Sequence, residues 1–251
     1  MAKLSEVVGY LERELRTAEI PDYTGAHNGL QLENASGEVT KVAAAVDASL
    51  EVIEEAVEKG ADLLIVHHGM FWQGVRMLTG ANYKKLKVAM DGGLAIYSSH
   101  IPLDIHSEWG NNSLLAKELG LNVDGSFMEW KGIRLGVAGQ YSGNLSELCR
   151  KIERVVGPVK VSCQEDRPVG RLGIITGGAG SEVEAVHAAG IDTFLTGEGP
   201  HWSFPLAQEL GFAVIHAGHY STEIFGVKML SSVLTSQFNV PNVFVDRPTG
   251  L

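Results

Sequence analysis

The sequence predicts an α/β fold. Apolar, β-prone runs alternate with helix-patterned segments along the chain. Of the 251 residues, 45% are hydrophobic, which is ample for a real core. No stretch rich in Pro, Ser or charge separates one part from another, so any domains are expected to be closely joined.

The elements follow in order. "MAKLSEVVGYLERELR" repeats apolar residues at helical spacing (Leu4, Val7, Val8, Leu11, Leu15) and predicts an amphipathic first helix. "KVAAAV" (41–46) predicts a strand, followed by a helix from about Ser49 to Lys59 closed by Gly60, then a strand at "LLIV" (63–66). Further strands are predicted at "LAIYSS" (94–99), "IRLGVAG" (133–139), "LGIIT" (172–176), "TFLT" (193–196) and "AVIHAG" (213–218). Helices are expected around Ser113 to Leu119, from about Leu145 to Val156, and from Ser181, where Glu184 gives capping-box spacing.

Composition excludes several classes. The formal net charge of −10 disfavours a broad nucleic-acid footprint, which needs clustered Lys and Arg. Cys149 and Cys163 form neither a disulfide framework nor a Cys-x-x-Cys pair. The N-terminal stretch has no apolar secretion core, and no uncharged run approaches the roughly 18 apolar residues of a spanning helix. A cytoplasmic protein without membrane attachment is the expectation.

The chain also resembles itself. "GADLLIVHHGMFW" (60–72) aligns without gaps on "GIDTFLTGEGPHW" (190–202), pairing Gly60 with Gly190, Asp62 with Asp192, Gly69 with Gly199 and Trp72 with Trp202. "GGLAIYSSHIPLD" (92–104) aligns on "GFAVIHAGHYSTE" (211–223), so that His100 meets His219 and Asp104 meets Glu223. Two similar βα units sharing glycines would explain the first match. A repeated His-x-x-x-acid beyond a strand points further, to shared chemistry.

In open α/β sheets, ligands collect beyond the carboxyl ends of strands. A strand running into His67, His68 and Gly69 delivers two imidazoles there, and the loops carrying His100 and Asp104, and His219 and Glu223, are expected at the same edge. Imidazole with carboxylate and no thiolate suits Zn, Mn, Fe, Co or Ni. Six donors exceed the three protein ligands of a catalytic zinc, so two divalent ions are expected, with water activated as nucleophile. Glu198, at the repeat position of His68, is read as an orienting acceptor for a ligand histidine or as a general base. His187 is read as structural, and His106 and Glu108 as polar rim residues or, alternatively, substrate contacts. "TGGAG" (176–180) is read as a tight strand-to-helix turn rather than a phosphate cradle.

With "NGLQ" (28–31), "HHG", "HIPLD" and "GEGPHW…HAGHYSTE" in this order, the sequence resembles the Nif-three-like family, whose bacterial members are called GTP cyclohydrolase 1 type 2 homologues. The resemblance covers most of the chain. It implies two intertwined, duplicated α/β halves with mixed sheets, 1–126 and 127–251, and a dinuclear metal site in the cleft between them. It also implies a ring-shaped homohexamer. The implied ligands are His67, His68, Asp104, His219 and Glu223, with His100 a close neighbour or occasional ligand. "HIPLDIHSEWGNN" departs from the "GVN"-like segment expected after the aspartate, and the large insertion of longer members is absent. The expected activity is metal-dependent hydrolysis of a nucleotide or other phosphorylated small molecule, with Glu198 and His100 as catalytic candidates. The alternatives are a non-catalytic metal-delivery protein and a ring-shaped interaction scaffold.

Overall fold

The strands in chain order are β1 (Ala2–Lys3), β2 (Gly29–Leu32), β3 (Glu38–Val39), β4 (Val42–Asp47), β5 (Leu63–His68), β6 (Ala95–Ser98), β7 (Gly125–Trp130), β8 (Ile133–Asn144), β9 (Lys160–Val161), β10 (Pro168–Ile174), β11 (Thr193–Thr196), β12 (Ala213–His216) and β13 (Asn242–Phe244). The computed structural model describes residues 1–250 apart from Gln73, Val75 and Gln164. Their contacts form two units. The first comprises Met1–Leu103 with Gly226–Arg247, and the second Asp104–Phe225 with a short stretch from Pro248.

In the first unit a mixed sheet runs β13-β4-β5-β6-β2, with β2 antiparallel to β6 and the other pairings parallel. β4 and β5 read as continuous apolar runs because the sheet is covered on both faces, and all but the last residue of each is buried. Helix Leu50–Glu58 covers one face. Ser49 Oγ accepts from Val52 N at 3.2 Å to cap it, and Val52, Ile53 and Ala56 join Ala43, Ala45, Leu64 and Ile96 in the core. The predicted first helix forms over Leu4–Glu14 with its apolar stripe buried. Helix Gly80–Asp91 has no sequence signal because Ala89 is its one buried residue among those described, so no apolar stripe is needed.

The second unit holds a mixed sheet ordered β7-β8-β10-β11-β12-β9, parallel across β10, β11 and β12 and antiparallel elsewhere. The predicted strand at 133–139 extends to Asn144. Helix Leu145–Val156 buries Leu145, Leu148 and Ile152 against Leu172, Ile174, Leu195 and Ile215. The capping box expected at Ser181 and Glu184 does not form. Ala179–Glu182 tightens into a 3-10 turn, Ser181 Oγ donates to Glu182 Oε1, and the α-helix starts later, at Val183. A capping-box bond occurs instead at Asn144, whose N–H donates to Glu147 Oε2 at 3.2 Å.

The two matched segments share internal geometry. Leu63 pairs with Val42 and Ala95, and Thr193 with Leu172 and Ala213. Asp62 accepts from the backbone N–H groups of Thr40 and Lys41, and Asp192 from that of Arg171, so each aspartate ties the segment before its strand to the backbone of the preceding strand or its lead-in. The ungapped second match needs correction. Sheet register equates Ala95 with Ala213, not Val214. One extra residue therefore separates β12 from His219. Among the described residues, no helix is long and apolar enough to cross a membrane.

Candidate functional site

β5 carries His67 and His68 to its end, and β6 leads into His100 two residues past Ser98. Neighbouring side chains on a strand normally diverge. Here the rings of His67 and His68 lie 4.8 Å apart between centroids, as do those of His67 and His100. One ring nitrogen from each of the three histidines falls within 4.8 Å of the others.

All three rings are held through Nδ1. His67, fully buried, places Nδ1 2.9 Å from the Ser99 carbonyl. Because a carbonyl only accepts, Nδ1 carries a proton. Asp47, at the end of β4 and opposite His68 in the sheet, sets Oδ1 2.9 Å from His68 Nδ1. Asp22 Oδ1 lies 2.8 Å from His100 Nδ1, while Asp22 Oδ2 accepts from the Asn28 side-chain amide and from Ile101 N. Burial pushes the Asp22 carboxyl up, but the hydrogen bonds from His100, Asn28 and Tyr23 N outweigh it and hold the group below the usual range.

Gly69 serves by its size. A Cβ there would fall 2.1 Å from Gln31 Nε2, and Gln31 needs that place because its Oε1 accepts from Met70 N while Nε2 donates to the carbonyls of Ala26 and His27. The "NGLQ" segment thus braces the chain after the histidine pair: Asn28 Oδ1 also accepts from His100 N at 2.8 Å.

In the second unit, Asp104 Oδ1 accepts from Asn111 Nδ2 at 2.8 Å, and Thr176 Oγ1 lies 3.4 Å from it but closer, at 3.0 Å, to Asn112 Oδ1. His219 opens the long helix His219–Phe238, and Glu223 follows one turn later on the same face. Glu223 is 2% exposed, and one oxygen lies within 4.8 Å of an Asp104 oxygen. His219 Nε2 stands 3.1 Å from Glu223 Oε2, and His219 Nδ1 stands 2.8 Å from Glu198 Oε1. Burial disfavours the charged ring, but the contacts with Glu223 and Glu198 together prevail and push His219 up to about 9.

The "TGGAG" stretch is a tight turn, as expected, with an added role. Gly177 has φ +70°, and a Cβ on it would come within 2.1 Å of Glu223 Oε1. Its carbonyl accepts from Gly197 N and Glu198 N, and its N–H donates to Thr222 Oγ1.

The remaining histidines have local duties. His106 Nδ1 accepts from the backbone N–H groups of Glu108 and Trp109, closing a turn. His187 packs on the Phe212 ring, His27 on Phe71, and His201 is exposed. Sequence reasoning missed Asp22, Asp47, Ser99, Asn111 and Thr176. Asp47 had a signal, as a lone carboxylate closing an apolar strand.

A sequence profile described as Duf34/NIF3 (NGG1p interacting factor 3) matches residues 2–249. A protein of Deinococcus radiodurans named GTP cyclohydrolase 1 type 2 homolog is 40% identical over 250 residues, covering 98% of this chain and 94% of its own. Among solved structures, protein ybgI, described as of unknown function, superposes with a TM-score of 0.90 at 34% identity, covering 99% of this chain and 100% of its own. TTHA1606 from Thermus thermophilus gives 0.84 at 37% identity, with the same coverage.

Proposed function

This chain belongs to the Duf34/NIF3 family, and on that premise we propose that it is a metal-dependent hydrolase acting on a nucleotide or other phosphorylated small molecule. Two divalent ions, drawn from Zn, Mn, Fe, Co or Ni, are held by His67, His68, Asp104, His219 and Glu223, with His100 beside them. The protein works as a cytoplasmic homohexamer.

One observation carries the reading. His67, His68, His100 and His219 are each anchored through Nδ1, three of them by a carboxylate and one by a backbone carbonyl. That is how a protein fixes the tautomer and aim of ligating imidazoles and raises their basicity. The donors also fit the ions chemically, being nitrogen and oxygen without thiolate.

Bound ions would lower the pKa of water to about 7 and polarise a phosphoryl or carbonyl oxygen. The protein's residues supply the rest. Ser99, Asp47 and Asp22 aim the three rings of the first unit. Asn111 directs its amide donor at Asp104 and sets the orientation of its carboxylate, with the Thr176 hydroxyl alongside. Glu198, 44% exposed in its side chain, holds the His219 ring and has a second oxygen available to accept a proton from an attacking water.

Metal analysis of purified protein, followed by assay of the loaded form against GTP and a panel of phosphoesters and amides, tests the proposal. Turnover lost in His68→Ala supports it. Activity in the variant equal to wild type, or protein that takes up no divalent ion, refutes it. Ready ion exchange without turnover on any substrate would favour metal delivery.

A further inference from the structure

Beside the histidine cluster of the first unit stand two aromatic side chains that the hydrolytic chemistry leaves unused. The Trp72 ring centroid lies 4.5 Å from that of His100, edge to face, and 5.0 Å from that of His68. Tyr23 adjoins both Trp72, at 6.4 Å, and His100, at 6.1 Å. Both are exposed, Trp72 by 38% and Tyr23 by 52%. Large apolar rings left open to water at a cluster of candidate ligands mark a place where another flat surface can be covered.

Their positions are fixed by the backbone. A Cβ on Gly25 would sit 2.5 Å from the Trp72 carbonyl oxygen, so the segment carrying Tyr23 lies directly against the segment carrying Trp72. His27 packs edge-on against Phe71, and Gln31 binds Met70 N. Asp22, next to Tyr23, is tied to His100, Asn28 and Ile101. The hydrogen bonds that aim the His100 ring therefore also set the place of Tyr23. Such fixed rings lose little freedom when something stacks on them.

We propose that Trp72 stacks on a planar nitrogen heterocycle while Tyr23, inclined at 76° to it, borders the edge of the same ring, so that the substrate class is base-bearing nucleotides rather than aliphatic phosphates. The proposal rests on the hydrolase reading for the placement of the reacting group at the histidines. Trp72 borders the rings of both His100 and His68, which puts its face next to that group. Stacking on aromatic side chains tolerates any base, because every base offers a π-face. The platform would therefore select for the presence of a base more than for its identity.

The test compares equilibrium binding of adenosine and guanosine 5′-monophosphates with ribose 5-phosphate, which carries the same charged group without a base, to zinc-loaded full-length protein. Both nucleotides are expected to bind about tenfold or more tighter than ribose 5-phosphate. In Trp72→Ala the ratio should fall close to one, in Tyr23→Ala it should fall part of the way, and Trp72→Phe should recover most of it, with zinc content measured on the same samples. Equal binding in the wild type, no binding of either ligand class, or a ratio that survives both alanine substitutions would overturn the proposal. A base preference in protein without turnover leaves the platform standing and removes the hydrolase. Efficient turnover of base-free phosphoesters without any base preference does the reverse.

Discussion

Asp47 Oδ1 lies 2.9 Å from Nδ1 of His68, and the two residues are lateral neighbours on adjacent parallel strands. Sheet register alone sets this pair: once β4 and β5 align their apolar runs, the carboxylate and the imidazole that close them must meet. Removing the acceptor should leave the ring able to ligate but free to turn. Asp47→Ala is expected to weaken zinc affinity by about 10- to 100-fold while the fold persists. Competition with a chromophoric chelator reads this directly, and an unchanged affinity would mean that the pair is only structural.

His219 gives a pH dependence. Its pKa in the metal-free fold, about 9, is above the ordinary value of 6.5. The sign follows from linkage: the folded state binds the proton more tightly, so the stabilisation is full below about 6.5 and fades as pH rises through 9. A divalent ion taken up at His219 Nε2 would have to expel that proton. Calorimetry at about pH 8, between those two values, in buffers of differing ionisation enthalpy should show proton release on zinc binding, which Glu198→Gln diminishes. Buffer-independent heats would contradict it.

Gly177 combines φ +70° with a place that Glu223 already fills. Gly177→Ala should cost about 1–2 kcal/mol from the backbone alone and also displace the carboxylate. Denaturant unfolding measures the first effect and metal content the second. Retention of both would show that the turn yields more easily than its geometry implies.

His216 is 8% exposed, stacks at 4.6 Å on Phe204, and among the described residues neither ring nitrogen has a hydrogen-bond partner. Burial pushes its pKa down. A buried polar group of this kind costs about 1–3 kcal/mol, so His216→Leu should raise stability by about 1 kcal/mol. Thermal unfolding would show a higher Tm, and a lower one would reveal an interaction that the ring supplies.

Cys149 is half-buried, and burial with the neighbouring Glu153 and Asp166 raises its thiol pKa. Alkylation by iodoacetamide should accelerate only above the pH at which an ordinary thiol reacts. Rapid labelling near neutrality would refute this.

How much was legible beforehand depended on whether a signal was local. Strand β11 was read to its ends because four residues form a fully buried run. The four-residue spacing of His219 and Glu223 could be converted to a shared helix face without coordinates. The strands β7, β9 and β13 left no such trace, since they are short or partly exposed and gain their pairing from partners far along the chain. The extra residue before His219 was invisible for a related reason: an ungapped match maximises identities, whereas register is set by the neighbouring strand.

Taken alone, the sequence determined the α/β class, the repeat, and the types of donor at the ends of the strands, because hydrophobic period and residue chemistry are properties of contiguous segments. Tertiary structure decided which ring nitrogen of each histidine is anchored, and by what. Asp22 reaches His100 and Glu198 reaches His219 across 78 and 21 residues, and Ser99 fixes the His67 tautomer across 32. A hydrogen bond between groups that far apart along the chain depends on where the backbone returns, and no local pattern records that.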